Sequence, residues 1–139
     1  MKFDRTLPVG LQLYTVRDYL AADLKGTLKK VKAMGYDYVE PAGLYGNSAA
    51  DFRAALDEAG LTAICAHVAY AEMKADLDKV ISDYKTIGIN YIAIPYLEPD
   101  DRPDGKNYDE FLKNAFDFGK KFAENGMTML YHNHDFEFT

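Results

Sequence analysis

The sequence predicts an α/β chain built from consecutive strand–helix units with parallel strands. Four glycines, Gly35, Gly60, Gly88 and Gly126, each close a helix-like run and precede a short apolar stretch with polar residues at its far end. Glycine suits that place because the residue after a helix's last turn is often left-handed, at a cost of about 1 kcal/mol or more for a residue with a Cβ. The stretches YDYVEPAG, LTAICAHV, INYIAIPYLEP and MTMLYHNHDFEF read as strands, and LPVGLQLYTVRD supplies one before the first helix. They are nearly continuous apolar runs, the pattern of a parallel sheet buried on both faces.

The first helix is expected from Asp23 to Met34, with Leu24, Leu28 and Val31 on one face. Ser48 and Asp51 form a capping box that opens the second, which turns Phe52, Leu56 and Ala59 to the core. Leu77, Val80, Ile81 and Tyr84 are the apolar face of the third. After the polar loop EPDDRPDGKN, whose Asp100, Asp101 and Asp104 read as turn chemistry around Pro99, Pro103 and Gly105, the fourth presents Tyr108, Phe111, Leu112, Ala115, Phe116 and Phe122. About five strands and four helices follow from this pattern.

Right-handed crossovers between parallel strands leave either an open doubly wound sheet or a barrel. No glycine-rich fingerprint follows the first strand, so a dinucleotide or P-loop site has no support. Polar residues instead gather after every strand: Gln12 and Arg17, then Glu40, then His67, then Tyr96 and Glu98, then His132, Asn133, His134 and Glu137. In a barrel these ends converge on one mouth, where the active site is built. An eight-unit barrel needs about 250 residues, so the 139 residues are expected to form one incomplete barrel domain, strands one to five.

The net charge of -6 and pI near 5.0 argue against a nucleic-acid surface, which needs clustered Lys and Arg. The alternating lysines from Lys25 to Lys32 read as a solvated helix face. No apolar run approaches the roughly 18 residues of a membrane helix, and MKFDRTLPVG has no apolar leader core, so the expected address is the cytoplasm with no membrane partner. The single cysteine, Cys65, cannot form an internal disulfide and reads as a small buried hydrophobe in the third strand.

All three histidines lie at the carboxyl ends of strands. Imidazole binds borderline divalent metals and moves protons near neutral pH. His132 and His134 share a strand face with Asn133 opposite, a spacing that suits a metal pair or sugar hydroxyls equally. His67 reads as a hydrogen-bonded barrel histidine or a functional group. Glu40, where strand gives way to loop, is an acid/base or substrate-binding group, or a solvated loop residue. Glu137 fits the mouth or the outward face of an alternating strand. Strand parity is inconsistent: counted from the helix-ending glycines, Glu40 and His67 fall on odd offsets and His132 and His134 on even ones, so a bulge or a one-residue shift is required.

The phrases GLQLYTVRD, GYDYVEPAG, AHV, IPYL and YHNHDFEF, in this order along essentially the whole chain, resemble the sugar phosphate isomerase/epimerase family of xylose isomerase-like TIM barrels. The resemblance implies that a whole member continues through strands six to eight, so the chain is expected to be a truncation, a proteolytic fragment or a natural short form. It implies enolisation of a sugar or sugar phosphate, with a divalent metal (Mn, Mg, Zn or Co) polarising the substrate oxygens and a carboxylate as base. Where ketose epimerases of that family carry their first metal-binding glutamate, this sequence has His132. His132 is therefore the metal candidate, Glu40 and His67 the catalytic ones, and Gln12, His134 and Glu137 the substrate-binding ones. Two alternatives accompany this isomerase/epimerase reading. One is a non-catalytic carbohydrate-binding half-barrel that self-associates through open sheet edges; the other is a phosphodiesterase like the superfamily's apurinic endonucleases, which the acidic charge opposes.

Overall fold

Every strand pairs in parallel with a neighbour in the order of the sequence, and the helices between them pack on the outside. The computed structural model describes residues 8–138; residues 1–7, and with them the reading of no apolar leader, lie outside. The strands are β1 (Gly10–Gln12), β2 (Tyr38–Glu40), β3 (Thr62–Ala63), β4 (Ala66–His67), β5 (Tyr91–Ile94) and β6 (Thr128–Tyr131). The helices are α1 (Arg17–Ala22), α2 (Leu24–Ala33), α3 (Ala49–Ala59), α4 (Tyr70–Ala75), α5 (Leu77–Ile87) and α6 (Tyr108–Glu124). β1, β2 and β3 form one parallel sheet and β4, β5 and β6 a second, bridged at Ala42↔His67. This is the expected incomplete α/β barrel wall.

The strand and helix totals exceed those read from the sequence for local reasons. β3 and β4 are the two halves of the expected third strand. α1 and α4 are short helices that end where Asp23 and Asp76 turn extended, and each of these aspartates then caps the next helix: Asp23 Oδ1 accepts from Gly26 N at 2.9 Å and Asp76 Oδ1 from Lys79 N at 2.9 Å. A cap of this kind contributes about 1 kcal/mol. Ser48 caps α3 as expected, accepting from Asp51 N at 3.1 Å and donating to the Asp51 carboxylate at 2.6 Å.

The four helix-ending glycines all have positive φ, 101° at Gly35, 69° at Gly60, 89° at Gly88 and 74° at Gly126. After three of them the chain closes back on the helix, with Leu61 N on Leu56 O, Ile89 N on Tyr84 O and Met127 N on Phe122 O. Leu61, Ile89 and Met127 are themselves buried, so each turn delivers an apolar anchor to the start of a strand.

Leu28 and Val31 of α2, Phe52 and Leu56 of α3, Val80, Ile81 and Tyr84 of α5, and Phe111 and Phe122 of α6 make the layer between helices and sheet with Val39, Ile92 and Ile94. Each such apolar side chain contributes roughly 1.5–3 kcal/mol by leaving water. Two residues of the expected α6 face are instead exposed, Leu112 at 47% and Phe116 at 76%. The stripe that packs runs through Tyr108, Phe111, Ala115, Phe118 and Phe122, and Leu112 and Phe116 lie beside it. The inner face of the wall also departs from the two-sided burial expected of its strands: Ile64, Tyr91 and Leu130 are 46%, 51% and 41% exposed. Among the described residues β1 and β6 pair on one side only, so the wall curves without closing over that face. No described helix is long and apolar enough to cross a membrane.

Candidate functional site

The carboxyl ends of the strands form an open cavity of about 790 Å³ lined by Gln12, Tyr14, Glu40, His67, Glu72, Tyr96, His132 and His134 among others. Register brings the first two polar groups together. Gln12 and Glu40 are Cα partners in the β1–β2 ladder, and Gln12 Nε2 donates to Glu40 Oε1 at 2.6 Å. Gln12 Oε1 is held in turn by Tyr14 N at 2.8 Å, which fixes the amide orientation.

His67 joins them through an irregularity in the third strand. Leu61 and Ala63 are buried against the helices, as are Ala66 and Val68, so the buried parity changes between Ala63 and Ala66. From the Val39↔Ala63 pair to the Ala42↔His67 bridge the third strand takes one residue more than the second. This is a bulge, one of the two devices that the inconsistent parity called for, and it turns His67 to the face of the cavity. Ile64 N still bonds Val39 O at 3.1 Å, and past the extra residue His67 N bonds Pro41 O at 2.8 Å. His67 consequently faces the cavity, with Nε2 2.9 Å from Glu40 Oε1.

That contact orders the protons. A carboxylate only accepts, so His67 carries hydrogen on Nε2, and in the neutral ring Nδ1 is the acceptor. The His67 hydrogen bond, ahead of the opposing effect of burial, holds the Glu40 carboxyl below its ordinary value of 4.5. Cys65, at the bulge, donates to Ala66 O at 3.9 Å; burial, followed by the Glu40 charge, pushes its thiol up to about 12. Cys65, expected as a small buried hydrophobe, is half-buried and stays a neutral thiol beside the carboxylate.

His132 and His134 complete the row. His132 N extends the β5–β6 ladder by bonding Ile94 O at 3.0 Å, and the ring of His132 lies 4.9 Å from that of His67 and 4.9 Å from that of His134. His134 packs edge-on against Tyr96 at 5.3 Å and parallel to Phe136 at 5.6 Å. Arg102 pins this cluster: its guanidinium sits 3.7 Å over the Phe136 ring and 4.9 Å from that of Tyr96, while Nε donates to Leu97 O at 2.8 Å. His134 Nδ1 is buried and has no hydrogen-bond partner among the described residues.

Glu137 stands apart from this constellation. It accepts from Tyr131 Oη and from His134 N, the latter at 2.7 Å, and borders a smaller cavity with Tyr108 and Phe111. The strand ends at Tyr131, so Glu137 lies in a turn and not in an alternating strand. Glu72 and Tyr14 line the mouth although the sequence did not single them out. Glu72 lies in the first turn of α4, where burial raises its carboxyl above 4.5. An acidic residue soon after the His67 strand end was the available signal.

A divalent metal needs about four to six donors. Among the described residues no group of three or more His, Cys, Asp or Glu side chains is placed to hold one. Glu40 Oε1 is engaged by Gln12 and His67, and the three imidazoles stand as a row of tilted rings. His132 thus lacks companion ligands within this set, and the described residues by themselves do not fit a metal centre.

No protein-family model and no curated protein matches the chain. Solved structures do. A sugar phosphate isomerase/epimerase from Parabacteroides distasonis superposes with a TM-score of 0.70 at 23% identity, over 99% of this chain and 56% of that one. A xylose isomerase-like TIM barrel protein from Mycobacterium smegmatis in complex with magnesium gives 0.67 at 16% identity, over 94% and 56%. A family 2 AP endonuclease from Brucella melitensis gives 0.68 at 14% identity, over 90% and 55%. The fold is thereby that of a TIM barrel. This chain is a partial one, spanning about half the length of the structures it matches.

Proposed function

We propose that this chain carries part of the mouth of a sugar isomerase or epimerase, and that Glu40 and His67 move the proton next to a substrate carbonyl. The supporting observation is the 2.9 Å Glu40–His67 contact inside a cavity whose lining also holds Gln12, Tyr14, Tyr96, His132 and His134. Glu40 fixes the imidazole tautomer and balances the imidazolium that forms. The substrate C–H bond breaks, its electron pair becomes the enediolate double bond, and the proton passes to His67 Nδ1; its return to the neighbouring carbon or to the other face completes isomerisation or epimerisation. His132, His134 and Gln12 are assigned to substrate oxygens, His134 Nδ1 being a buried group that still needs a partner. A divalent metal in the intact protein would polarise the same oxygens, with ligands beyond the described set.

The test is incorporation of solvent deuterium next to the carbonyl of ketoses by the intact protein that carries this chain. His67→Ala and Glu40→Gln should each lower exchange by about 100-fold or more. Exchange at the unmodified rate in both variants, or none in the unmodified protein, would sink the proposal.

A second reading, a self-associating half-barrel, rests on the exposed inner-face residues Ile64, Tyr91 and Leu130. Light scattering separates the two: a dimer whose formation is abolished by Tyr91→Lys favours it, and a monomer removes it. The phosphodiesterase reading has no support from the cavity, whose described lining contains neither Lys nor Arg.

A further inference from the structure

His134 stands two residues past the β5–β6 ladder bond from His132 N to Ile94 O, so the sheet does not set its orientation. Two other contacts do. Its backbone N–H donates to Glu137 Oε2 at 2.7 Å, and the Glu137 carboxylate is anchored in turn by the Tyr131 hydroxyl. Its ring meets Tyr96 edge-on, at 88°, and Phe136 nearly parallel, at 9°. Arg102 holds both of those rings, donating Nη2–H to Tyr96 Oη and lying 3.7 Å over the Phe136 ring. Arg102 itself stands on a tightly folded loop: Gly105 N bonds its carbonyl at 2.8 Å, Asn107 N bonds Asp100 O at 2.8 Å, and a Cβ at Gly105 would come within 2.3 Å of that same Asp100 oxygen. Only glycine permits so close an approach. Neither Arg102 nor Glu137 lines the mouth, yet both converge on His134, whose buried Nδ1 has no hydrogen-bond partner among the described residues.

We propose that Arg102 and Glu137 are positioning residues for substrate binding, which together present the His134 imidazole to the mouth in one orientation. Glu137 fixes the backbone from which the side chain leaves, and Arg102 fixes the ring through Tyr96 and Phe136. The inference rests on the sugar isomerase/epimerase reading, in which His134 takes a substrate oxygen, and deepens it. A turn residue without this mount would exchange between rotamers, and each substrate would have to select the productive one on binding. The mount removes that cost before the substrate arrives. It also gives Glu137, expected among the substrate-binding groups, a part that needs no contact with substrate. The planar guanidinium is the working feature of Arg102, since an ammonium cannot stack on Phe136 while bonding Tyr96.

The experiment measures solvent deuterium exchange by the intact protein into D-fructose, D-tagatose and D-psicose, and takes kcat and KM separately for whichever exchanges fastest. Arg102→Ala and Glu137→Gln should each raise KM, the first by about tenfold, with kcat nearly unchanged, the mark of lost binding rather than lost chemistry. Residues that only stabilised the fold would reduce the amount of active protein, lowering kcat and leaving KM in place. Arg102→Lys should resemble Arg102→Ala, and Phe136→Leu should raise KM likewise, so these two variants carry the prediction if the alanine variant does not fold. In a His134→Ala background neither Arg102→Ala nor Glu137→Gln should raise KM further, because both act through that ring. An unchanged KM in the folded single variants, or the same increase without His134, would overturn this inference and leave the proton-transfer reading standing. No exchange into any of the three ketoses by the unmodified protein would overturn both.

Discussion

Glu40 and His67 meet at 2.9 Å because the third strand carries one residue more than the second between their shared bridges. Strand side chains alternate with a period of two, so without the extra residue His67 would point toward the helices. The bulge therefore makes the acid/base pair, on a carboxylate that the β1–β2 register has already joined to Gln12.

The Glu40 contacts carry a pH dependence. Its folded carboxyl lies below the ordinary 4.5, so the folded state binds fewer protons than the unfolded one as pH falls. The associated stability is complete above pH 4.5 and disappears below it, through the folded-state value. Glu58, held at about 2 by Lys29 and Lys25, acts in the same direction, but its pair is solvent-exposed and screened by salt. Urea titrations from pH 7 to 3 in 0.5 M salt (about the level that screens such pairs) should show a fall below 4.5 that Glu40→Gln flattens. That variant should cost about 1.5 kcal/mol at pH 7. A parallel fall in both proteins would refute the assignment.

Cys65 should react slowly. With its thiol near 12, the thiolate is scarce at pH 8, and iodoacetamide should label it about a thousandfold more slowly than free cysteine. Glu40→Gln removes one of the two main causes and should speed labelling by about tenfold, as followed by intact mass. Labelling at the free-cysteine rate would mean that neither burial nor the Glu40 charge holds the thiol protonated.

Arg102 ties the loop after β5 to the turn after β6. Arg102→Ala should cost about 1–2 kcal/mol and broaden the His134 resonance as Tyr96 and Phe136 lose their clamp. Arg102→Lys should not restore a sharp line, because an ammonium lacks the planar face. An unchanged His134 linewidth in the alanine variant would count against the clamp.

Gly88 tests the helix-ending turns. Its φ is +89°, and a Cβ there would come 2.7 Å from Arg53 Nη1, displacing the guanidinium that donates to Ile87 O at 2.8 Å. Gly88→Ala should cost about 2 kcal/mol. Gly60→Ala, where a Cβ would meet only Lys32 Cε at 3.7 Å, should cost about 1 kcal/mol. Equal midpoints in urea would argue that backbone strain alone governs both.

Much of this architecture is local chemistry and was legible residue by residue. Glycines at positive φ, the aspartate and serine caps, and the helical spacing of Leu28, Val31, Phe52 and Leu56 act over a few positions, so the order of strands and helices can be read along the chain. The polar row from Gln12 to His134 was equally visible because each member follows its own strand. Which members touch was not visible. That the third strand bulges, that His67 and Gln12 share Glu40, that Glu137 turns away, that Glu72 enters the mouth, and that Leu112 and Phe116 stay in water all depend on how strands register and helices roll against one another. Sequence alone determined an incomplete parallel α/β barrel wall with its polar groups at one end. Only tertiary structure decided which of them form the site, because one residue of strand register reverses the face on which every later side chain lies.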